Sequence, residues 1–295
     1  MTTARLPSPP HTSHRASRGL DACGSGLEQD ADGVWTIAGV PTAGVSYPEA
    51  AADRLYEIED RSFWFQHRNA CILAALGRFP PEGPIFDIGG GNGVVAKAMQ
   101  DHGLDVVLIE PGESAPRNAR RRGVHVCVRA RPEQLQVEPG VVGAVTLCDV
   151  LEHIDEHETF LDQIHRYLSP GGRLLLTVPA YGFLWSSEDV AAGHIRRYTL
   201  SGLSALLAHR GYTVEYGTYM FQALVIPIAM LRTLPSRLFG APSERHRPTV
   251  TSSHVPRSRH MGLFVRAMLA REVRRIGAGR RLSWGASCLV VARKV

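Results

Sequence analysis

The stretch P-I-F-D-I-G-G-G-N-G, residues 84–93, decides the fold of this chain. Its apolar first half predicts a β-strand, and an apolar helical pattern begins at Val94, directly after the glycines. Glycine is needed where the backbone takes a positive φ or where a ligand must approach main-chain atoms that a Cβ would cover. The free N–H groups at the start of the helix favour an anionic group, such as a carboxylate, on that ligand. The stretch therefore predicts a strand, a tight turn and a helix that bind a ligand.

The spacing of the glycines separates the ligand classes that use such a turn. A P-loop requires Gly-Lys-Ser/Thr after the turn, and a dinucleotide turn requires a glycine where Val94 stands. The pattern here is D-x-G-x-G-x-G from Asp87 to Gly93, and a second predicted strand, 105–109, ends in Glu110. An acidic residue about 20 positions downstream can accept hydrogen bonds from both ribose hydroxyls. The ligand is therefore predicted to have a ribose and no pyrophosphate, which disfavours nicotinamide-dependent reduction.

These motifs resemble a known family. The D-I-G-G-G-N-G turn with Glu110 looks like the nucleoside-binding half of class I S-adenosylmethionine-dependent methyltransferases. The resemblance continues through L-C-D-V-L-E-H-I at 147–154 and L-S-P-G-G-R-L-L-L-T-V-P-A at 168–180. It covers roughly residues 47–220 and the last ten, and it is nearest to the branch that includes the ubiquinone and menaquinone methyltransferases. Three motifs in order are a more specific signal than a glycine turn alone.

The resemblance and the apolar pattern together predict an α/β fold. The expected architecture is a Rossmann-like, doubly wound, seven-stranded sheet whose last strand is antiparallel beside the sixth. Strands are predicted at 84–88, 105–109, 124–128, 142–148, 173–178, 213–219 and 286–293, and helices at 94–102, 114–122, 157–168 and 201–210. The expected divisions are a mostly disordered tail (1–44) with a short hairpin at 33–42, a core with N-terminal lid helices (45–220), a helical insertion (221–283) and a final core strand (284–295).

The resemblance implies a set of cofactor-binding residues. Asp87 would hold the methionine end of S-adenosylmethionine, and Glu110 the ribose. Relatives often have Asp near the adenine amino group, but Arg131 occupies that position here and has no acceptor to offer. Adenine recognition is therefore expected to fall to main-chain carbonyls or to Glu133. The full expected set is Asp87, Gly89, Gly91, Asn92, Gly93, Glu110, Pro111, Glu133, Asp149 and Val150.

The acceptor side is expected after the fifth predicted strand. Residues 184–198, L-W-S-S-E-D-V-A-A-G-H-I-R-R-Y, crowd polar side chains onto a loop above the sheet edge, where binding groups are common. A histidine such as His194 could take a proton from an acceptor, and Arg196 or Arg197 could hold an acidic group. The predicted catalytic residues are His194, His153, Asp189 and Tyr198. The predicted acceptor-binding residues are Trp64, Arg196, Arg197 and Tyr181.

Each of these interpretations has an alternative. The loop could instead be held together by its own Asp–His and Arg–Tyr bonds, and His153 could be a structural histidine. The aromatic cluster S-F-W-F-Q-H-R-N at 62–69 could be a lid over the acceptor or a helix packed on the sheet. His153 and His157 have the i, i+4 spacing of metal ligands, but no third ligand is evident nearby, so no metal is expected.

The insertion between the last two predicted strands is unusually long and basic. It contains an apolar stretch at 221–231, a polar basic run at 243–260 and an amphipathic helix at 261–275. One interpretation is a lid with a solvated loop. The other is a surface that docks on a membrane or binds a lipid-like acceptor, since Leu263, Phe264, Met268 and Leu269 can share a face bordered by arginines.

Bulk properties limit the partners. The net charge of +5 is mildly basic, and no stripe of basic and aromatic residues lies in the core motifs, so no nucleic-acid partner is expected. Five cysteines without C-x-x-C spacing are expected to be reduced thiols. No apolar run of membrane-spanning length or signal peptide is recognised. We expect a cytoplasmic protein, peripheral to the membrane if the insertion docks.

The predicted function is S-adenosylmethionine-dependent transfer of a methyl group to a small-molecule or lipid-like acceptor, by O- or C-methylation through in-line displacement. The alternative is a protein that binds the cofactor and serves as a scaffold, cyclase or regulator without methyl transfer. The acceptor itself is not indicated by the sequence, because acceptor pockets on a shared fold are built from variable loops.

Overall fold

A nine-stranded sheet forms the centre of the protein, in a computed structural model that describes residues 18–39, 49–239 and 259–295. The strand order is β1-β2-β5-β4-β3-β6-β7-β9-β8. The strands are β1 (Leu27–Gln29), β2 (Trp35–Ile37), β3 (Ile85–Ile88), β4 (Val106–Ile109), β5 (Val126–Arg129), β6 (Val142–Cys148), β7 (Leu168–Pro179), β8 (Tyr212–Met220) and β9 (Ser287–Lys294).

The seven predicted strands are all present, and their arrangement confirms the predicted fold class. β5, β4, β3, β6 and β7 are parallel neighbours, and β9 lies antiparallel between β7 and β8. Strand β3 is buried at all four positions, as expected for a parallel strand covered on both faces. The strand order reverses at β3 and β6, and in open α/β sheets ligands bind at the carboxyl ends of the strands at such a point.

Helices cover both faces of this sheet. They are α1 (Glu49–Glu59), α2 (Phe63–Leu76), α3 (Val94–Asp101), α4 (Ser114–Arg122), α5 (His157–Tyr167), α6 (Ser187–Ala192), α7 (Leu200–His209), α8 (Val225–Ile228), α9 (Leu234–Phe239) and α10 (Arg259–Gly277). A π-helical segment, Ala229–Thr233, joins α8 to α9, so residues 225–239 form one helical run. Apolar side chains of α2, α3 and α10 pack on one face of the sheet, and those of α5 and α7 pack on the other.

The N-terminal region differs from the predicted disordered tail. Residues 27–37 form an antiparallel hairpin, with Leu27 opposite Ile37, and β2 continues the sheet beside β5. Cys23 and Val34 are buried. The hairpin is therefore shifted from the predicted 33–42 towards the N-terminus, because its second strand pairs with the open edge of β5. Residues 1–17 and 40–48 lie outside the described residues, and the proposed division into domains stays a prediction.

The insertion is attached to the core through α10. The buried Glu272 carboxylate accepts hydrogen bonds from the Phe221 and Gln222 amides at 2.8 and 2.6 Å, and lies 2.9 Å from His67 Nε2 on α2. Leu269 is buried in the same cluster. The prediction that Leu269 belongs to a docking face of this helix is wrong, because Leu269 packs into the core. The side chains of Leu263 and Phe264 lie outside the described residues. Within the described parts of the chain, no helix is both long and apolar enough to cross a membrane.

Candidate functional site

The glycine turn after β3 leaves one stretch of backbone open. Gly89, Gly91 and Gly93 all have positive φ values, 68°, 52° and 77°. A Cβ on Gly89 would lie 2.6 Å from the Val150 side chain, and one on Gly93 would lie 2.7 Å from Ala119. A Cβ on Gly91 would meet nothing within 4 Å. Gly89 and Gly93 are therefore required by packing, whereas Gly91 leaves free space over the turn that a ligand can enter.

Glu110 lies at the edge of this space. It follows β4, and its carboxylate accepts hydrogen bonds from the backbone N–H groups of Gly91 and Gly112, each at 3.0 Å. Pro111, between them, is half-buried. The two bonds hold the carboxylate beside the open turn, which is where a ribose-binding acid is expected.

Asp87 is the buried acid of the turn. Its side chain is fully buried, Oδ1 accepts a hydrogen bond from the Thr146 hydroxyl at 2.6 Å, and Oδ2 has no partner among the described residues. Burial raises the pKa of this carboxyl to about 6, against the opposing effect of the Thr146 hydrogen bond. An acceptor left unpaired in a buried site is costly. Asp87 therefore fits a cationic or donor group of a ligand, as the ammonium of the expected methionine end would be.

Asn92 connects the turn to helix α1. Its Nδ2 donates to the Ala52 carbonyl at 2.8 Å, and its Oδ1 accepts from Asn118 at 3.2 Å. Arg122 donates to the Asn92 carbonyl and to Glu59 of α1, the latter at 2.9 Å. These bonds give Asn92 a positioning role: they hold α1 against the turn rather than placing the Asn92 side chain in the open space.

The exit of β6 carries Asp149 in a left-handed conformation, with φ of 58°. Its carboxylate accepts hydrogen bonds from the Thr177 hydroxyl at 3.0 Å and from Arg68 Nη1 at 2.5 Å. Arg68 is buried, and its contact with Asp149 was not predicted from the sequence. The feature that could have indicated it is a single arginine within the aromatic cluster 62–69. Val150, the next residue, is half-buried against the turn.

The predicted adenine side lies after β5. Glu133 is on a short 3₁₀ turn, Pro132–Gln134, and its exposed carboxylate is 3.8 Å from Arg131 Nη1. The Gln134 side chain accepts from the Arg131 amide at 2.7 Å. The turn is therefore held in place by its own hydrogen bonds, and contact between Glu133 and adenine stays a prediction.

On the acceptor side, Asp189 organises the loop after β7. This buried carboxylate lies 2.9 Å from His194 Nδ1 and accepts hydrogen bonds from Arg197 Nε at 2.7 Å and Nη2 at 3.0 Å. Burial alone would raise its pKa, but the bonds from His194 and Arg197 outweigh it and lower the pKa to about 2. Arg197 also donates to the Ala180 carbonyl. Asp189 and Arg197 thus have partners within the loop, and the geometry fits positioning rather than direct contact with an acceptor.

His194, His153 and Glu152 meet at this edge. The two imidazole rings are 4.9 Å apart, and His194 Nε2 is 3.9 Å from Glu152 Oε1. Burial, with a smaller contribution from Asp149, raises the pKa of Glu152 well above its usual value. Burial and the neighbouring His194 lower the pKa of His153. Both shifts favour the uncharged forms, the carboxylic acid of Glu152 and the neutral imidazole of His153.

The same three residues could hold a metal ion. One ligand atom from each lies within 4.8 Å of the other two. His153 Nδ1 lies 3.2 Å from the Gly193 carbonyl and His194 Nδ1 contacts Asp189, which leaves both Nε2 atoms available. Both Glu152 oxygens are buried without a hydrogen-bond partner in the described residues. Residue spacing did not predict this cluster, because His194 is distant in sequence and comes close to His153 only in the folded chain. Glu152, which directly precedes His153, was the one part visible in the sequence.

Tyr198, Arg196 and His157 form a separate group below the loop. The buried Tyr198 hydroxyl is 3.2 Å from the Leu151 carbonyl and 2.9 Å from His157 Nδ1. Arg196 contacts the same nitrogen of His157 and donates to the Asp155 carbonyl. Burial raises the pKa of Tyr198 to about 12. Tyr198 is therefore held in structural contacts, and its catalytic role stays a prediction.

Aromatic rings border the acceptor side. Trp64 on α2 stacks on Phe221 with ring centroids 3.8 Å apart, which places the predicted lid cluster against the start of the insertion. Tyr181 has φ of 57° and stacks between Phe183 and Tyr219, at 5.1 and 5.0 Å. Both Trp64 and Tyr181 are half-buried, so the wall keeps some ring surface accessible.

Comparisons with known proteins agree with this geometry. Residues 61–216, just over half of the chain, match the family described as "Methyltransferase domain". The ubiquinone biosynthesis O-methyltransferase of Pseudomonas aeruginosa (strain UCBPP-PA14) is 34% identical over 99 residues, 32% of this chain and 43% of that protein. The chain thus aligns with less than half the length of that relative.

Solved structures show the same fold. A methyltransferase from Thermotoga maritima, described as a possible histamine N-methyltransferase, has a TM-score of 0.52 at 18% identity, covering 84% of this chain and 100% of that one. Phosphoethanolamine N-methyltransferase 2 of Haemonchus contortus, solved with S-adenosyl-L-methionine, has a TM-score of 0.51 at 20% identity, covering 87% and 60%. The matched residues 61–216 carry the glycine turn, Glu110 and the loop of His194. The chain therefore belongs to the methyltransferase-domain family.

Proposed function

We propose that the enzyme methylates a small-molecule or lipid-like acceptor on oxygen or carbon. The observation that carries this proposal is that two features follow the carboxyl ends of parallel strands in one sheet. One is the open glycine turn with Glu110, and the other is the His194–Asp189 pair, whose imidazole has one nitrogen engaged and one available.

The cofactor end of the site would be held by Asp87, Gly91 and Glu110. Glu110 would accept hydrogen bonds from the ribose, Asp87 would offer its unpaired oxygen to the methionine end, and the missing Cβ of Gly91 would let the ligand lie on the turn. When bound, S-adenosylmethionine supplies an electrophilic methyl group whose sulfonium charge disappears on transfer. Because little charge needs stabilising, we expect catalysis to depend mainly on positioning and on exclusion of water.

His194 is the best candidate for a base on the acceptor side. Asp189 contacts Nδ1, which favours the tautomer with a proton there and leaves Nε2 free to take a proton from an acceptor hydroxyl or acidic carbon. The His194 ring is partly exposed, whereas the side chains of Tyr198 and Asp189 are buried. His153 and Glu152 would support this site from the buried side. Arg196, which contacts His157 and the Asp155 carbonyl, would hold an acidic group of the acceptor.

O-methylation is favoured over C-methylation by the Pseudomonas relative, which is named an O-methyltransferase. A lipid-like acceptor is supported by the aromatic border formed by Trp64 and Tyr181. We propose a cytoplasmic location with peripheral membrane contact, in keeping with such an acceptor. The alternative, a scaffold that binds the cofactor without turnover, is supported by the internal pairing of Asp189 with Arg197.

The first test is calorimetric titration with S-adenosylmethionine and S-adenosylhomocysteine. We expect the wild type to bind both, and Glu110→Ala to weaken binding roughly ten- to a hundredfold, because it removes hydrogen bonds to a charged group. Glu113→Ala, an exposed acid three residues away, is the matched control and should bind as the wild type does. Equal binding by Glu110→Ala would contradict the assigned ribose site.

The second step is an acceptor screen that measures release of S-adenosylhomocysteine. Phenolic, carboxylic and lipid-like acceptors are compared for the wild type and His194→Asn. Turnover by the wild type that is strongly reduced in His194→Asn, with unchanged cofactor affinity, supports the proposed base. Cofactor binding without turnover on any acceptor class would favour the scaffold.

A further inference from the structure

The helical run 225–239 presents an apolar face to solvent. Five large apolar side chains on this run are between 52 and 76% exposed. They are Ile226, Met230, Leu231, Leu234 and Leu238. Four of the five are spaced by four residues, so they follow one side of the helical run. We call these five side chains the apolar face.

An ordinary surface helix turns its apolar stripe towards the core. This run packs Val225, Ile228 and Ala229 on the core, yet it has a second set of large apolar side chains, which face solvent. Polar side chains of the run also contact the protein. Thr233 donates to the Leu184 carbonyl at 3.0 Å, the Ser236 hydroxyl accepts from the Ser187 amide at 2.9 Å, and Arg232 lies 2.7 Å from Glu188. These contacts fix the run to the loop after β7, so the outward direction of the apolar face is built into the fold.

The insertion that carries the apolar face has a strong excess of basic side chains. The described part of the insertion, residues 222–239 and 259–283, contains nine arginines and a single acid, Glu272, which is buried. This part carries a formal charge of +8, although the whole chain carries only +5. Arg266, Arg271 and Arg274 of α10 are exposed. Glu188, the acid beside the run, is paired with Arg232. An exposed apolar face on a strongly basic insertion is suited to a bilayer with anionic headgroups over an apolar interior.

We propose that the apolar face docks on an anionic phospholipid bilayer. The five apolar side chains enter the boundary between headgroups and acyl chains, and the arginines contact phosphate groups. A helix that lies in the interface in this way needs both an apolar face and a basic border, and this run has the two together. The docking surface is therefore the run 225–239, and not the face of α10 that the sequence indicated.

Docking would place the acceptor side of the enzyme at the membrane. The run follows Phe221, which stacks on Trp64, and it is bonded to the loop segment 184–188 that precedes Asp189. An acceptor dissolved in the bilayer would then reach the site without crossing water. This consequence rests on the proposed function, whereas the docking itself does not require methyl transfer.

Vesicle co-sedimentation of the full-length protein tests the proposal. Vesicles of equal parts phosphatidylglycerol and phosphatidylcholine are compared with pure phosphatidylcholine, at low and high salt. We expect sedimentation with the anionic vesicles that weakens as salt screens the arginines, and little with the neutral ones. The double variant Leu231→Asp/Leu234→Asp should reduce the bound fraction at least tenfold. Val141→Asp is the matched control and should bind like the wild type. Val141 is an exposed apolar residue directly before β6, at the end of the sheet where the parallel strands begin.

Calorimetry with S-adenosylhomocysteine distinguishes loss of membrane binding from loss of folding in the variants. Both variants should keep wild-type affinity, because neither position touches the glycine turn. The proposal is overturned if the wild type stays in the supernatant with anionic vesicles, or if the double variant sediments as the wild type does. It is also overturned if light scattering shows a dimer that the double variant converts to monomers, since the apolar face would then bind a second copy. Each result is independent of whether an acceptor is found.

Discussion

Asp87 combines a buried carboxyl with an unpaired oxygen, and this makes its protonation sensitive to what binds. Burial raises its pKa from 3.8 to about 6. A group with a raised pKa stabilises the fold below its unfolded pKa, and that contribution is lost as pH rises through the folded value. As pH rises from 4 to 6, the apo enzyme should therefore lose the stability that this group contributes. A cationic ligand group beside the carboxylate would oppose that loss.

The binding of S-adenosylhomocysteine should consequently depend on pH. At pH 5 about nine-tenths of the Asp87 carboxyls are protonated, so affinity should be up to about tenfold weaker than at pH 7.5. In Asp87→Asn the affinity should be low at both pH values. Calorimetry at the two pH values checks this. A wild-type pH dependence that persists unchanged in Asp87→Asn would assign the effect to another group, such as His153.

The sequence placed the residues of the glycine turn relative to one another, but not the contacts of the loop after β7. Asp87, Gly91 and Glu110 lie within one strand–turn–helix unit and the end of the next strand, so local spacing is enough to place them. Glu152 and Arg68 depend on contacts between distant segments: Arg68 reaches Asp149 from α2 across 81 residues. Whether a polar side chain faces a ligand or another side chain is decided by such contacts, which the local pattern does not contain.

At the level of elements, α1 is held over the glycine turn by a buried ion pair. Arg122 and Glu59 side chains are 7 and 6% exposed, and Arg122 also bonds the Asn92 carbonyl. Burial raises the pKa of Glu59 despite the opposing charge of Arg122. Removing one partner of such a pair leaves an uncompensated buried charge, which typically costs 3–5 kcal/mol.

Arg122→Ala should therefore destabilise the enzyme by about 3 kcal/mol and weaken cofactor binding, because the turn loses a contact with its lid helix. Thermal denaturation gives the first quantity and calorimetry the second. Arg121→Ala, an exposed neighbour on the same helix, should change neither by a measurable amount. If Arg122→Ala melted with the wild type, the pair would have no role in holding α1.

The core strands were predictable because they are buried on both faces and read as continuous apolar runs. The predicted hairpin at 33–42 contains β2 but not β1, since three-residue strands such as L-E-Q and W-T-I carry too few residues to show a period. The apolar pattern of α10 was correctly read as amphipathic. The surface that the apolar side of α10 packs against was not predictable, because the same apolar side chains could face a membrane or pack on α2.

At the level of the whole molecule, the hairpin extends the sheet and covers one edge. β2 pairs in parallel with β5, so without it the backbone of β5 would be an open edge, which promotes association between chains. Cys23 and Val34, both about 1% exposed, bury their side chains in this region. Ser25 also lies 3.3 Å from Gln136 in the segment after β5. The first forty residues therefore contain a structural part of the core.

Two truncations separate this part from the rest of the N-terminus. Removing residues 1–38 deletes two fully buried side chains and should cost about 3 kcal/mol or more, a fall in Tm of about 6–12 °C. The same variant should aggregate more readily, because the edge of β5 is exposed. Removing only residues 1–17 keeps the hairpin and should leave Tm within about 2 °C of the wild type. Thermal scans with light scattering measure both effects. Equal melting of the two truncated proteins would mean that the hairpin adds no stability, since the longer deletion differs from the shorter one only by the segment that packs on β5.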